Sequence, residues 1–428
     1  MTAAAVPPLR WWKWRDPARW AATSDIVAVL LALSLPWSTS LVSILGVAFV
    51  LTLAPSVKWR PFMESLRRPV SALPLALFAL AVAGTLWSDA PWEERNYAIG
   101  QLAKLLVLPA LVYHFERSAR GMLVFYAFLI SCALMTLMSW LVLFYPALAL
   151  KQFNAERGIF VKNYIDQSQE FALCVIVLAY PVVTLLRNGM VRQALLLAAI
   201  AANFIVNMAF VIVSRTAMVT LPVMLAVFAL LHAQRRTSLM VLVAIVAAAG
   251  VAWTVSPQLR EKTGSFVTDY REYKSTDAKT SVGLRLEYWR KSLGFFVEAP
   301  VIGHGTGSTR GLFQQAAVGT DDFASGVVIN NPHNQTLAVA VQWGSVGIVF
   351  LYALWLVHLL QFRGEGLAAW IGLMVVLQNM FSSLFNSHLF DFHEGWMYVL
   401  GVGVAAGMVL RERAGTAVAV SAGDVLKS

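Results

Sequence analysis

His333 is the residue best suited to acid–base chemistry, in the sequence Asn331-Pro332-His333-Asn334 before a long apolar segment. Pro332 prevents a helix from running into this sequence, and Asn334 is suited to cap a helix that begins at Gln335. The positive helix end and nearby arginines would keep the imidazole neutral at physiological pH, as a general base requires. His333 is therefore the candidate base; the alternative is a loop histidine with a structural hydrogen bond.

Four cations are candidates for binding an anionic group. Arg215 separates two apolar segments with almost no loop, which suits a phosphate ligand or an ordinary interfacial arginine. Lys104 lies within an apolar segment, where inserting a lysine near the bilayer centre costs about 2.5–3.5 kcal/mol of free energy. It therefore faces an internal, anion-binding cavity or extends to the nearer surface. The pattern of residues 283–300 predicts an amphipathic helix on which Arg285 and Arg290 reach phosphates or only touch headgroups.

Two further groups of residues could form a binding site, but neither matches a standard motif. Glycines at 303, 305 and 307 alternate in VIGHGTGS, which would let backbone N–H groups approach a phosphate, although this is neither a Walker loop nor a dinucleotide fingerprint. His388, Asp391, His393 and Glu394 cluster in SHLFDFHEGW. They include zinc and manganese ligand types, but the spacing matches no standard motif. We expect support of the site, chiefly by Asp391, in preference to a metal.

The elements that position these residues lie in a membrane. Hydrophobic residues make up 58% of the 428 residues and charged residues 13%, with a mean hydropathy of +0.66. Soluble proteins carry about 25% charged residues. The composition predicts an all-α polytopic membrane protein. The two cysteines lie in apolar segments and indicate neither a disulfide nor a zinc site.

About twelve segments are apolar and long enough to cross a bilayer, which takes about 20 residues. They lie at about 22–37, 40–56, 69–87, 97–114, 121–148, 168–186, 192–213, 216–233, 238–255, 335–361, 366–385 and 394–411. The chain thus divides into N-terminal transmembrane helices (1–255), a long polar loop (256–334), and closing helices with a tail (335–428). The basic, aromatic N-terminus predicts an interfacial anchor and not a cleaved signal peptide.

Over half of the 33 basic residues fall on one side of these segments. The positive-inside rule assigns that side to the cytoplasm, together with both termini. The long loop, which contains His333, would then lie outside. The net charge of +10 therefore follows mostly from topology and does not indicate a nucleic-acid partner.

An ordered set of residues resembles a known family. The set comprises Arg285-x-x-x-Trp289, Pro300, Gly303, Gly305, Gly307, Pro332-His333-Asn334, and Gly344 and Gly347 of QWGSVG. Its order and topology resemble the shared domain of bacterial O-antigen ligases and polymerases over about residues 200–400. The Asn-Pro-His-Asn sequence is more similar to the ligase branch. The segment near Asn163 is only loosely similar, so no role is assigned to it.

The resemblance implies a GT-C-like fold of the inner membrane with a periplasmic active site and one long periplasmic loop that contains helices. It implies that the donor is a glycan on undecaprenyl pyrophosphate and that the acceptor is lipid A–core oligosaccharide. It also implies that His333 is catalytic and that Arg215 and Arg285 engage the pyrophosphate. Arg290 and Lys104 are further candidate donor ligands. Residues expected to support the site are Asn331, Asn334, Asp391, Gly303, Gly305 and Trp289.

The expected reaction needs a base for the acceptor hydroxyl and positive charge for the departing pyrophosphate. Pyrophosphate is a good leaving group, so we expect an inverting transfer that uses no metal, ATP or other cofactor. Three alternatives remain. A polymerase would join glycans on the lipid carrier, and a protein O-oligosaccharyltransferase would glycosylate Ser or Thr. A transporter of lipid-linked glycans would place ionisable residues near the bilayer midplane, as Lys104 is placed.

Overall fold

A computed structural model describes residues 16–150, 158–212, 214–232 and 235–425. That part of the chain is helical and contains no β-strand, only an isolated bridge between Ala278 and Phe323. The predicted N-terminal anchor lies largely outside the described residues. The helices are α1 (Pro17–Ser34), α2 (Thr39–Leu53), α3 (Trp59–Arg67), α4 (Pro69–Ala83), α5 (Trp92–Leu102), α6 (Val107–Phe115), α7 (Gly121–Phe144), α8 (Tyr164–Arg187), α9 (Val191–Phe210), α10 (Arg215–His232), α11 (Arg235–Val255), α12 (Pro257–Thr276), α13 (Ser281–Glu298), α14 (Thr309–Gln315), α15 (Gln335–Gln361), α16 (Leu367–Ser382) and α17 (Phe392–Val425).

Seven helical stretches in the described residues are long and apolar enough to cross a membrane, so the chain is a multi-pass membrane protein. Each of the twelve predicted segments overlaps a helix. The count of twelve crossings remains a prediction, because several of these helices fall outside the seven. The seven stretches are Thr39–Ser56, Pro69–Trp87, Trp92–Phe115, Gly121–Phe144, Tyr164–Arg187, Val191–Phe210 and Gln335–Gln361.

The central core forms where α17 packs along α6, and α15 packs against α4 and α16. Leu108 and Leu111 of α6 and Val402 of α17 are fully buried there. Glycines of α17 permit the close approach: a Cβ at Gly403 would lie 2.7 Å from the Leu111 side chain. This contact fixes α17, and with it the loop that precedes α17 near His333.

The polar loop between α11 and α15 contains three helices, α12, α13 and α14. Of these, the sequence pattern predicted α13. In α13, Tyr288 and Lys291 are buried and Leu284 is partly buried on the same face, as an amphipathic helix requires. This face packs against Val341 of α15 through Phe295 and Phe313. The amphipathic helix therefore covers the first turns of α15.

Helix α15 is interrupted at Gly344, whose backbone angles are φ 57° and ψ −151°. Residues 300–303 pass close by at this point. The N–H groups of Ser345 and Val346 donate to the carbonyls of Pro300 and Val301 at 2.8 and 3.1 Å. Only glycine suits this position, because it has a positive φ and a Cβ would lie 2.5 Å from Val301.

Candidate active site

His333 lies two residues before the start of α15, half-buried, on a backbone with φ 54°. This conformation is uncommon for a residue other than glycine. It is held by the His333 N–H, which donates to Asn331 Oδ1 at 2.9 Å. Asn334 caps α15 as predicted: its Oδ1 accepts the Leu337 N–H at 3.0 Å. The predicted position of His333 at the mouth of α15 is confirmed.

The His333 ring contacts two separate parts of the chain. Its Nδ1 lies 2.6 Å from Oδ1 of Asn386, and the ring stacks on Tyr288 of α13 at 6.0 Å between centroids. Burial lowers the pKa of His333 below 6.5, and the charge of Arg285 lowers it further, while the Asn386 bond opposes this shift. The charge of Arg285 acts in the expected direction, but burial is the larger cause of the shift. The imidazole is therefore neutral at physiological pH.

Arg285 lies beside this histidine. Its charge acts on both His333 and His388, and its side chain is half-buried. Trp289 lies one turn further along α13 and packs with the Tyr288 cluster. The structure thus brings Arg285 and His333 together, although 48 positions separate them in the sequence.

Arg290 is placed differently from Arg285. Its guanidinium forms two hydrogen bonds to the Glu287 carboxylate, at 2.6 and 3.0 Å, and its side chain is 66% exposed. Buried Lys291 adds a bond to the Ser325 carbonyl at 2.5 Å. The Lys291 bond fixes α13 to the chain before α15, whereas the Arg290 bonds stay within α13. The expected role of Arg290 as a donor ligand remains untested, and the structure gives it a structural partner.

Arg215 is the first residue of α10, at the junction with α9 that the sequence predicts. Its side chain lies outside what the structure describes. Neighbouring Ser214 is buried. The expected contact of Arg215 with a pyrophosphate therefore stays a prediction from its position in the chain.

The glycine turn, residues 303–307, packs against other elements. The His304 and Gly305 N–H groups donate to the carbonyls of Val341 and Gln342, each at 2.9 Å, and the Gly307 N–H donates to Gln342 Oε1 at 2.9 Å. Added Cβ atoms at Gly303 and Gly305 would lie 2.5 Å from the backbones of Gln342 and Ser88. These N–H groups are occupied, so the geometry favours a packing role over a phosphate cradle.

Lys104 is buried, and its ammonium donates to the Phe390 and Asp391 carbonyls at 2.8 and 2.6 Å. It also lines a cavity of about 770 Å³ between α2, α5 and the start of α17. Lys104 is therefore buried beside an open pocket and does not extend to the surface, and its binding of an anion there remains a prediction. Lys104 thereby anchors the closing loop, residues 383–391, which connects α16 to α17.

The closing loop reaches His333 through Asn331. Asn331 Nδ2 donates to Asp391 Oδ1 at 3.3 Å, and Asn331 Oδ1 accepts the Ser387 hydroxyl at 2.7 Å. Burial raises the pKa of Asp391 to about 7, although the charge of Lys104 opposes this. The geometry is that of a supporting residue, since Asp391 contacts Asn331, which in turn holds the His333 backbone.

His388, Asp391 and Glu394 present possible metal-ligand atoms within 4.8 Å of one another. In the described part of the chain, His388 Nε2, Asp391 Oδ2 and Glu394 Oε1 are buried without hydrogen bonds. Burial lowers the pKa of His388 to about 3, so its ring is neutral. The ammonium of Lys104 interacts with both carboxylates. The positive charge beside this cluster therefore comes from a side chain of the protein, Lys104.

Sequence reasoning missed a second buried polar cluster. Lys162 Nζ lies 2.7 Å from both Glu170 Oε1 and His393 Nδ1, and it also donates to the Leu35 carbonyl. His393 Nε2 lies 3.3 Å from Asp166 Oδ2. The signal was the polar run Asp166–Glu170, which the predicted segment 168–186 only partly included. Helix α8 in fact begins at Tyr164, so the run lies inside it.

Residues 196–352 match the family model described as O-antigen ligase. The match begins in α9 and ends in α15, and it includes the candidate cations at 215, 285 and 290 together with His333. No curated protein matches the chain.

Proposed function

We propose that the chain is an O-antigen ligase, which the match of residues 196–352 to the O-antigen ligase family model supports. In this proposal it transfers a glycan from undecaprenyl pyrophosphate to lipid A–core oligosaccharide at the periplasmic face of the inner membrane. The observation that carries the proposal is the pairing of a neutral, half-buried His333 with the positive charge of Arg285. One supplies a base and the other a site for developing negative charge.

The acceptor hydroxyl attacks the anomeric carbon as His333 takes its proton. The bond to the pyrophosphate oxygen breaks on the opposite side of the sugar, so the configuration inverts. Arg285, together with Arg215 at the start of α10, stabilises the charge on the departing pyrophosphate. Lys104 acts through the closing loop, which keeps the base in place. Arg290 orients Glu287, which accepts the Tyr273 hydroxyl of α12 and so helps to position α13.

The experiment is the lipopolysaccharide ladder of the host with the gene deleted and then restored. The wild-type gene should restore O-antigen on core, and His333→Ala should leave naked core although the protein is inserted at normal levels. His304→Gln is the control, because its amide can still donate to the Phe295 carbonyl that His304 contacts. Core capped with a single repeat in the deletion strain would identify a polymerase instead. A normal ladder from His333→Ala would exclude His333 as the base.

A second test concerns the cofactor. The proposed site uses side-chain charges on the pyrophosphate, so purified protein with lipid-linked donor and lipid A–core should keep full activity in EDTA without ATP. Loss of transfer in EDTA, restored by Mn²⁺, would contradict this and direct attention to His388, Asp391 and Glu394. Substituting His388 by Ala would then abolish the response to Mn²⁺.

A further inference from the structure

We propose that Asn386 is a positioning residue that selects which nitrogen of His333 acts as the base, an inference that rests on the proposed function. Asn386 Oδ1 lies 2.6 Å from His333 Nδ1. An amide oxygen only accepts, so Nδ1 carries the hydrogen and donates it to Asn386. In a neutral imidazole the other nitrogen, Nε2, then has the free lone pair. Nε2 is therefore the atom that receives the acceptor proton.

The ring is held in one orientation by contacts from several directions. Its stacking on Tyr288 fixes the ring plane, and the bond from the His333 N–H to Asn331 fixes the backbone. Ser387, the neighbour of Asn386, donates to the same Asn331 oxygen at 2.7 Å. Within the described part of the chain no hydrogen bond engages Nε2. The nitrogen that the reaction needs is the one left available.

The amide has a specific advantage over a carboxylate here. A carboxylate beside Nδ1 would favour the charged imidazolium, whereas a neutral amide orients the ring without adding negative charge. The other charged or titratable groups that face the ring are Arg285 and Tyr288 of α13 and His388 of the closing loop. None of these is an anion at neutral pH, so the environment keeps the free base.

Each turnover can be followed at these atoms. The acceptor O–H proton moves to Nε2, the acceptor oxygen bonds to the anomeric carbon, and the electron pair of the broken C–O bond leaves with the pyrophosphate. His333 is then an imidazolium whose Nδ1–H still donates to Asn386. The Nε2 proton departs to water or to the released pyrophosphate, which restores the starting tautomer.

Two substitutions test the assignment. Asn386→Leu removes the acceptor and should lower kcat about tenfold to hundredfold, as a part of the about 10²–10⁴-fold that a positioned base provides, with unchanged donor KM. Asn386→Asp still accepts the Nδ1 hydrogen, so activity should persist. Its carboxylate should raise the pKa of His333, so the acid limb of the pH–kcat profile should move to higher pH by about one unit or more. Asn188→Leu, at the exposed end of α8, is the control and should behave as wild type.

Opposite outcomes would overturn the assignment. If Asn386→Asp is as inactive as Asn386→Leu, the amide N–H and not the oxygen faces the ring. If neither substitution changes kcat or the pH profile, Asn386 does not position the base. Both variants must show wild-type thermal unfolding in detergent; where one does not, Asn386→Ala replaces Asn386→Leu and Asn386→Glu replaces Asn386→Asp.

A spectroscopic measurement separates this inference from the proposed function. The ¹⁵N NMR spectrum of the histidine-labelled protein, with His333→Gln to identify the signal, should show a protonated Nδ1 and an unprotonated Nε2 at neutral pH. This result requires no substrate and holds even if the chain transfers a different glycan. The opposite tautomer would exclude the Asn386 role whatever the reaction is.

Discussion

At the scale of single residues, the site depends on keeping one histidine uncharged. His333 is surrounded by the guanidinium of Arg285, the Tyr288 ring and the Asn386 amide. Burial and the Arg285 charge act in the same direction on its pKa. The same arginine that would bind the donor thus also keeps the base unprotonated, so its loss should change two properties at once.

The pH dependence of transfer tests this double role. Because burial and the Arg285 charge lower the pKa of His333, the acid limb of kcat/KM should lie below the ordinary titration range of a histidine. Arg285→Gln removes a charge that lowers this pKa, so the acid limb should move to higher pH while donor KM rises. Profiles of purified protein provide the measurement. A limb that stays in place in Arg285→Gln would show that burial alone sets the pKa.

Substitution of Lys104 tests whether this residue stabilises the closing loop and does not itself bind the donor. Lys104→Met leaves the Phe390 carbonyl without a donor, which costs about 1–3 kcal/mol. The Asp391 carbonyl loses one of its two donors and keeps the Gly395 N–H at 3.1 Å. We expect lower thermal stability and a lower kcat with little change in donor KM. Lys58→Met, before α3, is the control and should change none of the three. An increase in donor KM at unchanged kcat would instead make Lys104 a direct ligand of the pyrophosphate.

Individual residues differ in how far the sequence could predict them. His333 and Asn334 were predictable, because Pro332 and the following apolar segment locate a helix start. Asn386 was not, because it lies 53 positions from His333 and no periodicity connects a loop residue to a distant ring. The Glu287 partner of Arg290 is only three positions away, but an i, i+3 pair does not reveal whether a ligand competes for the arginine.

At the scale of elements, close backbone approach positions the site. The glycine turn lies directly on α15 and on the residues before α5, where positive φ angles and short Cβ distances exclude side chains. The sequence predicted the importance of these glycines but suggested a phosphate contact for their N–H groups. The structure shows those groups bonded to α15, which only the tertiary arrangement could reveal.

Substitution at the turn should therefore be costly. Gly303→Ala places a methyl group 2.5 Å from the Gln342 backbone at a φ of +64°, so we expect a loss of stability of about 1–3 kcal/mol or more. Gly311→Ala is the control, because nothing lies within 4 Å of its Cβ in α14. Thermal unfolding in detergent compares the two. Equal stability would mean that the turn relaxes away from α15.

At the scale of the whole molecule, topology decides whether the site can meet its substrates. The multi-pass, all-helical character was predictable from composition, since long apolar segments have few other solutions in lipid. The orientation was predicted from the basic residues alone. The placement of residues 256–334 outside the cytoplasm is a prediction from that charge pattern.

Cysteine labelling tests the orientation. Asp321 lies exposed before α15, and Glu365 lies exposed between α15 and α16. Since native Cys132 and Cys174 are buried, background labelling of these two cysteines should be low. A membrane-impermeant maleimide should label Asp321→Cys in intact cells and Glu365→Cys only after lysis. The reverse pattern would place the candidate site in the cytoplasm and exclude the proposed ligase reaction.

The break in α15 at Gly344 has a consequence for changes in chain length. The residues from 335 to 343 form a short half-helix that carries His333 at one end and receives residues 300–303 at the other. An insertion in that incoming segment would displace the half-helix and the histidine with it. An insertion of equal size at exposed residues 319–322 would only enlarge a surface loop. Homologous or engineered chains should therefore vary in length at residues 319–322 and keep a constant length at residues 300–303.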